Sequence, residues 1–205
     1  MRKTVEYAIL AGLAHAPRSG YDLTKWLARV ASHFWPVGHS SIYPALAALE
    51  AKGAVRHEAV PSEQGPERKV YSLTAQGTEE LLAWTDGPLT ATQIRDEQLV
   101  QALCYGFLPP ERALARLGRV RRYHADRLAH YAELERRLRE GQDAEGEGQA
   151  ITGPAYVGTL LVVRCGFLSE QNSLRWCDEA MTIIAAAGAG IDDPGGPRQG
   201  GRHDE

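Results

Sequence analysis

Between Ser40 and Leu73 the chain changes its hydrophobic period once, and sharply. Ile42, Ala45, Leu46 and Leu49 recur at i, i+3, i+4 and i+7, a buried helical stripe that Gly53 stops. Two short extended runs follow at once, Ala54 to Val60 and Arg68 to Leu73, around the tip Pro61-Ser62-Glu63-Gln64-Gly65-Pro66, which reads as a hairpin. Two more helices precede this pair. Val5, Ile9, Leu10 and Leu13 share one helical face, Pro17 to Gly20 breaks the pattern, and Tyr21 to Ser32 resumes it with Leu23, Leu27, Val30 and Ala31. His33 to His39, with Pro36 and Gly38, reads as a loop. After the hairpin, Thr74 is placed to cap a helix that carries Leu81, Leu82 and Trp84. Three helices and then a two-stranded hairpin is the order of a winged helix-turn-helix, whose third helix enters the DNA major groove with the hairpin beside it.

The third helix carries a constraint of its own. Pro44 would break a helix interior, so with Ser40 or Ser41 as the cap it is expected in the first turn, where backbone N–H groups have no intrahelical partner. A helix start bearing Ser40, Ser41 and Tyr43 suits phosphate or base-edge contacts through its dipole and short donors. Ser40 serves equally as a cap, Tyr43 equally as packing at the helix–wing junction, and Tyr71 chiefly as such packing. Arg68 and Lys69 alternate across a strand, so at most one faces DNA cleanly.

The run Ser40-Ser41-Ile42-Tyr43-Pro44-Ala45-Leu46-Ala47-Ala48-Leu49-Glu50-Ala51-Lys52-Gly53 resembles the third helix of the PadR family of bacterial transcriptional regulators. Ser19-Gly20-Tyr21-Asp22-Leu23 resembles that family's second-helix start, and Arg68-Lys69-Val70-Tyr71-Ser72-Leu73-Thr74 with Gly77 its second wing strand and following helix. The remainder is similar in length and helical pattern to the larger C-terminal domain of the family's Vir-like branch. The resemblance implies a homodimeric regulator, a repressor or activator, that binds a near-palindromic double-stranded DNA operator and is switched by a small molecule or signal. Carried over by position, Ser40, Ser41, Tyr43 and Pro44 would lie at the DNA surface, Tyr21 and Lys25 near phosphates, and Arg68 and Lys69 at the wing. Ala47 and Ala48 stand where many relatives carry basic or polar residues. Bidentate arginine-to-guanine readout therefore cannot come from that helix, and specificity falls to hydroxyls, thymine methyls, the wing or DNA shape.

Charge does not announce a nucleic-acid binder. Residues 1–85 hold nine Lys/Arg against eight Asp/Glu, residues 86–140 ten against eight, and residues 141–205 four against ten. That near-neutral first half, with Ala47 and Ala48, leaves open a winged helix used as a protein-interaction module. There is no GxSxG, phosphate-cradling glycine loop, HExxH or CxxC, so neither an enzyme, a metal site nor a cofactor is expected. Cys104, Cys165 and Cys177 form no secreted disulfide pattern, and no apolar run approaches a membrane span, so a cytoplasmic location is expected. Met1-Arg2-Lys3 with Ala14-His15-Ala16 imitates a signal peptide, but Glu6 falls where its apolar region should begin, and a first helix of the fold fits better.

The second half bears on assembly. Leu117, Val120, His124, Leu128, Tyr131, Leu134 and Leu138 make one stripe on a long helix from Pro109 to Glu140 whose other sides carry arginines and glutamates at pairing distance. Gly141 to Gln149 reads as a mobile linker. From Pro154 to Ala187, the positions Leu160, Val163, Phe167, Leu174, Cys177, Met181 and Ile184 hold a heptad-like stripe, expected to zip against its copy in a dimer, with a helix hairpin inside one chain as the alternative. Trp84, Tyr105, Phe107, Tyr123, Tyr156 and Trp176 supply aromatic surface for an apolar or aromatic effector, or simply core. The expected fold is thus mainly α: a winged helix with a two-stranded wing over residues 1–85, an all-helical dimerisation and effector domain over 86–187, and a disordered tail over 188–205.

Overall fold

The computed structural model describes residues 2–31, 39–62, 65–88, 96–141 and 153–191. In chain order they form α1 (Arg2–His15), β1 (Arg18–Ser19), α2 (Gly20–Val30), α3 (His39–Ala51), β2 (Val55–Ser62), β3 (Gly65–Leu73), α4 (Ala75–Thr85), α5 (Glu97–Ala102), a 3-10 turn (Tyr105–Phe107), α6 (Pro110–Arg139) and α7 (Gly153–Ile191). Most of the expected 141–149 linker and most of the 33–39 loop lie outside the described residues. So does the tail beyond Ile191; residues 188–191, expected in that tail, are helical.

Two compact units emerge: Met1–Ala91 with Ala129–Leu168, and Thr92–Leu128 with Ser169–Glu205. The winged helix therefore does not close on itself at residue 85. Tyr131, Leu134 and Leu138 of α6 and Val163 of α7 share one buried cluster with Ile9, Leu10, Leu23, Leu27, Ile42, Leu46 and Leu49. Every apolar stripe read in the first three helices is in that core. Each fully buried Leu or Ile contributes about 1.5–3 kcal/mol relative to exposure, which is what holds three short helices together.

Local chemistry fixes the ends of these elements. Ser19 caps α2: its Oγ accepts from the Asp22 backbone N–H at 3.2 Å and donates to Asp22 Oδ2 at 2.7 Å. Gly53, at φ +75°, closes α3 in a left-handed conformation that a side chain would disfavour, and the Ala54 N–H reaches back to the Leu49 carbonyl at 2.9 Å. Thr74 caps α4 as expected, accepting from the Gly77 N–H at 3.1 Å and donating to the Gly53 carbonyl at 2.7 Å.

Two expectations need correction. α3 begins at His39, so Pro44 lies inside the helix and not in its first turn, and Ser40 and Ser41 occupy that first turn themselves. Because proline has no N–H, the Ser40 carbonyl loses its helical partner. The wing, secondly, is three-stranded, in the order β1-β3-β2, because Arg18 pairs with Tyr71 and Ser19 with Val70. The β2–β3 ladder runs from Val55↔Leu73 to Val60↔Arg68 and shifts register between Val60 and Ser62.

The second unit is built from α5, the 3-10 turn, the first part of α6 and the last part of α7. Tyr105, Ala113 and Leu117 are its buried centre, with Ala102, Trp176, Ala180, Met181 and Ile184 packed against them. Asp96 caps α5 through the Gln98 N–H at 2.8 Å. Polar bonds also join α6 to α7 here. Glu170, 3% exposed, accepts from Arg127 Nε at 2.6 Å and faces His124 Nδ1 at 2.6 Å, while Arg121 Nε bonds Asp178 at 2.6 Å.

Candidate nucleic-acid interface

The start of α2, the start of α3 and strand β3 meet around a groove of about 440 Å³ lined by Ser19, Gly20, Tyr21, Tyr43, Arg68, Lys69 and Tyr71. Its two outer tyrosines are half exposed, Tyr21 at 52% and Tyr43 at 53%, whereas Tyr71 is buried at 7%. Gly20 makes the shape possible: a Cβ there would lie 2.8 Å from the Tyr43 ring. Lys25 Nζ stands 4.6 Å from the Tyr21 ring centroid, a cation–π contact that keeps its ammonium at the groove's edge. Burial pushes the Tyr71 phenol above its ordinary pKa, so it stays neutral and packs against His57, 5.6 Å between ring centroids. His57 in turn bonds Glu50 of α3, which ties the wing to the end of the third helix.

A second groove, about 360 Å³, runs along the other side of the α3 N-terminus and is lined by Val5, Glu6, Ser40, Ser41, Pro44, Ala45 and Ala48. Ser40 and Pro44 are exposed and Ser41 half-buried. Glu6 is held by Lys52 Nζ at 2.6 Å, and that hydrogen bond raises the lysine's pKa. The expected contact residues thus fall into two sets flanking one helix start: Tyr21, Lys25, Tyr43, Arg68 and Lys69 on the wing side, and Ser40, Ser41 and Pro44 on the α1 side. The sequence reading missed Ser19, Gly20 and Asp22 as parts of the surface, although all three stand in the Ser-Gly-Tyr-Asp run. The available signal was the serine followed three residues later by an acid, a helix-start signature. Arg68 Nη2 bonds Asp22 Oδ2 at 2.6 Å and lies 3.4 Å from Ser19 Oγ, so the wing arginine arrives at the groove already paired.

Comparison with known proteins places these residues within a known type of domain. Residues 9–83 match the transcriptional regulator PadR-like family, and residues 94–185 match the virulence activator alpha C-terminal family. The chain carries a PadR-like domain followed by a virulence activator alpha C-terminal domain. A probable transcriptional regulator of Mycobacterium tuberculosis is 29% identical over 183 residues, 87% of this chain and 96% of that protein. The negative transcriptional regulator PadR of Bacillus subtilis is 27% identical over 188 residues, 89% of this chain and 98% of that protein. The structure of Bacillus subtilis PadR in complex with operator DNA superposes with a TM-score of 0.76 at 24% identity, covering 89% of this chain and 98% of the other. Its complex with p-coumaric acid gives 0.68 at 24% identity, covering 90% and 97%. These likenesses establish a PadR-like winged helix followed by the helical C-terminal region, in a family of regulators and not of enzymes.

Within this PadR-like frame, the α7 stripe expected to zip two subunits packs in part against its own chain. Val163 is fully buried in the first unit's core with Phe167 packed on it, and Met181 and Ile184 pack on the Tyr105 cluster of the second. Leu160 and Leu174 are half-buried on the same side of the helix. The physical reason is that α6 presents its own apolar stripe, so each helix satisfies the other within one chain. Of the expected effector residues, only Tyr105 and Trp176 are packed in one cluster. Tyr123 is half exposed beneath Arg127, and Trp84 stacks on Tyr7 of the first unit, 4.5 Å between centroids at 8°. Phe107 is exposed and Tyr156 packs on the first unit's core. Among the described residues, no group of His, Cys, Asp or Glu is arranged to hold a metal, and no helix is long and apolar enough to cross a membrane.

Proposed function

We propose that this regulator binds a near-palindromic duplex operator as a homodimer in the cytoplasm, represses from it, and is released by a small aromatic effector. The observation that carries the reading is the wing-side groove, where two exposed tyrosines and three cations from α2, α3 and β3 converge on the start of a helix. Cations position a protein on phosphates, and hydroxyls and aromatic edges at a helix N-terminus reach bases. Arg68 and Lys69 line one groove although they alternate along β3, and if both, with Lys25, engage phosphates in two subunits, the six contacts make affinity fall about a thousandfold between 50 and 200 mM salt. A gel shift on the duplex upstream of the protein's own coding region, repeated across that salt range, tests this. A protein-interaction module would give no salt-sensitive shift.

The dimer is supported by a second apolar face on α7. Val157, Leu161 and Leu168 lie opposite Val163 and remain outward, Leu161 at 67% exposure. Introducing Leu161→Glu should convert dimer to monomer in sedimentation while the melting temperature holds; a dimer that survives the change places the interface elsewhere. Repression and release are supported by the relative named a negative regulator and by that protein's complex with p-coumaric acid. In this chain Tyr105 and Trp176 form the aromatic cluster suited to such a molecule, and the buried Tyr105 hydroxyl has no hydrogen-bond partner among the described residues. Loss of the gel shift on adding p-coumaric acid, with quenched tryptophan fluorescence, is the expected result.

A further inference from the structure

We propose that Asp22 acts as an intramolecular stand-in for a DNA phosphate: it occupies Arg68 and thereby limits the affinity of the winged helix for DNA. The inference rests on the DNA-binding reading above and adds an affinity-setting residue to it.

The carboxylate is built in place. Asp22 sits in the first turn of α2, its backbone N–H donating to Ser19 Oγ at 3.2 Å while Ser19 Oγ donates to Asp22 Oδ2 at 2.7 Å. Ser19 is itself pinned, because β1 pairs it with Val70 of β3. One oxygen of this fixed acid, Oδ2, meets Arg68 Nη2 at 2.6 Å across 46 residues of sequence. The pair lies at the lip of the groove, with Arg68 54% and Asp22 33% exposed, so a phosphate can approach the same guanidinium. An arginine fork recognises carboxylate and phosphate with the same planar donors, so the two compete for it directly. Lys69, next along the strand, lines the same groove with no acidic partner among the described residues. A phosphate contact by Arg68 therefore requires breaking or sharing its bond with Asp22, and the remaining carboxylate repels the incoming backbone. A contact by Lys69 requires neither.

Asp22→Asn isolates the charge. The amide retains an oxygen for the Ser19 hydroxyl and leaves the backbone bond of the cap intact. Wild type, Asp22→Asn, Arg68→Ala and the double variant are titrated against a fluorescein-labelled duplex taken from upstream of the protein's own coding region, at 100 mM salt, by fluorescence anisotropy. Asp22→Asn should bind roughly two- to five-fold more tightly, the range set by releasing one exposed ion pair. In the Arg68→Ala background most of that gain should vanish, because the released partner is gone. A general gain from removing one negative charge would be equal in both backgrounds and would overturn the proposal, as would unchanged or weaker binding by Asp22→Asn. Should Asp22→Asn fold poorly, Asp22→Ser runs the same cycle. Failure of every protein, wild type included, to bind any duplex would refute the DNA-binding reading and the inference with it; binding without coupling refutes the inference alone.

Discussion

Replacing Glu170 by glutamine removes one charge from the most deeply buried ion cluster of the second unit while preserving its shape. The carboxylate is 3% exposed, its two oxygens 2.6 Å from His124 Nδ1 and 2.6 Å from Arg127 Nε, both on α6. Burial by itself would raise its pKa, but the hydrogen bonds and charges of His124 and Arg127 outweigh that and hold it below the ordinary glutamate value of 4.5. Removing one partner of a buried pair costs about 3–5 kcal/mol, because the other charge is left uncompensated. The lower end applies here, since the His124 and Arg127 side chains keep 16% and 23% exposure. At roughly 2–4 °C per kcal/mol for a chain of this size, a 3 kcal/mol loss lowers the melting temperature by about 6–12 °C at pH 7. The pH dependence has a definite sign. A carboxylate whose folded pKa is depressed contributes stability that is fully present above its unfolded value and is lost as pH falls through the folded one. The gap between wild type and Glu170→Gln should therefore narrow as pH falls below about 5. Thermal unfolding followed by circular dichroism over that range measures both effects. A Glu170→Gln protein melting within a degree or two of wild type at pH 7, or a gap that does not narrow below about pH 5, would refute the reasoning.

Two further outcomes follow from the geometry of the first unit. Thr74→Ala removes the acceptor for the Gly77 N–H and the donor to the Gly53 carbonyl, so it should cost about 1 kcal/mol in denaturant unfolding without altering the denaturant slope. Gly20→Ala forces the Tyr43 ring away from a Cβ that would stand 2.8 Å from it. It should cost about 1 kcal/mol of stability by overpacking and weaken DNA binding measurably in the same gel shift, whereas retained affinity would remove Tyr43's present position from the contact surface.

What the sequence made legible was local, or periodic and already short of space. The stripes of the first three helices, the Thr74 cap and the Gly53 stop each depend on residues within a few positions of one another, and each is where the spacing puts it. β1 escaped notice because two residues carry no period; only pairing with Tyr71 and Val70 makes them a strand. The start of α3 fell two or three residues earlier than its serines suggested, because Ser40 and Ser41 are also tolerated inside a first turn and Pro44 is tolerated five residues past its best position. Asp22 was visible as part of a motif but not as Arg68's partner, since nothing at 46 residues' separation is written in spacing.

The α7 stripe shows the same boundary from the other side. A period of three and four residues states that a helix has an apolar face, not whose surface covers it. Between Tyr156 and Leu168 this helix is apolar on two opposite faces, one carrying Val163 and Phe167 and the other Val157, Leu161 and Leu168. A heptad reading selects the more regular of the two. Regularity, however, favours whichever face meets another long helix, and α6 offers one with its own stripe, in the same chain and only thirteen residues away in sequence, therefore met at high effective concentration. The regular face is for that reason the one packed within the chain at Val163 and Phe167, while the less regular face stays exposed at Val157, Leu161 and Leu168.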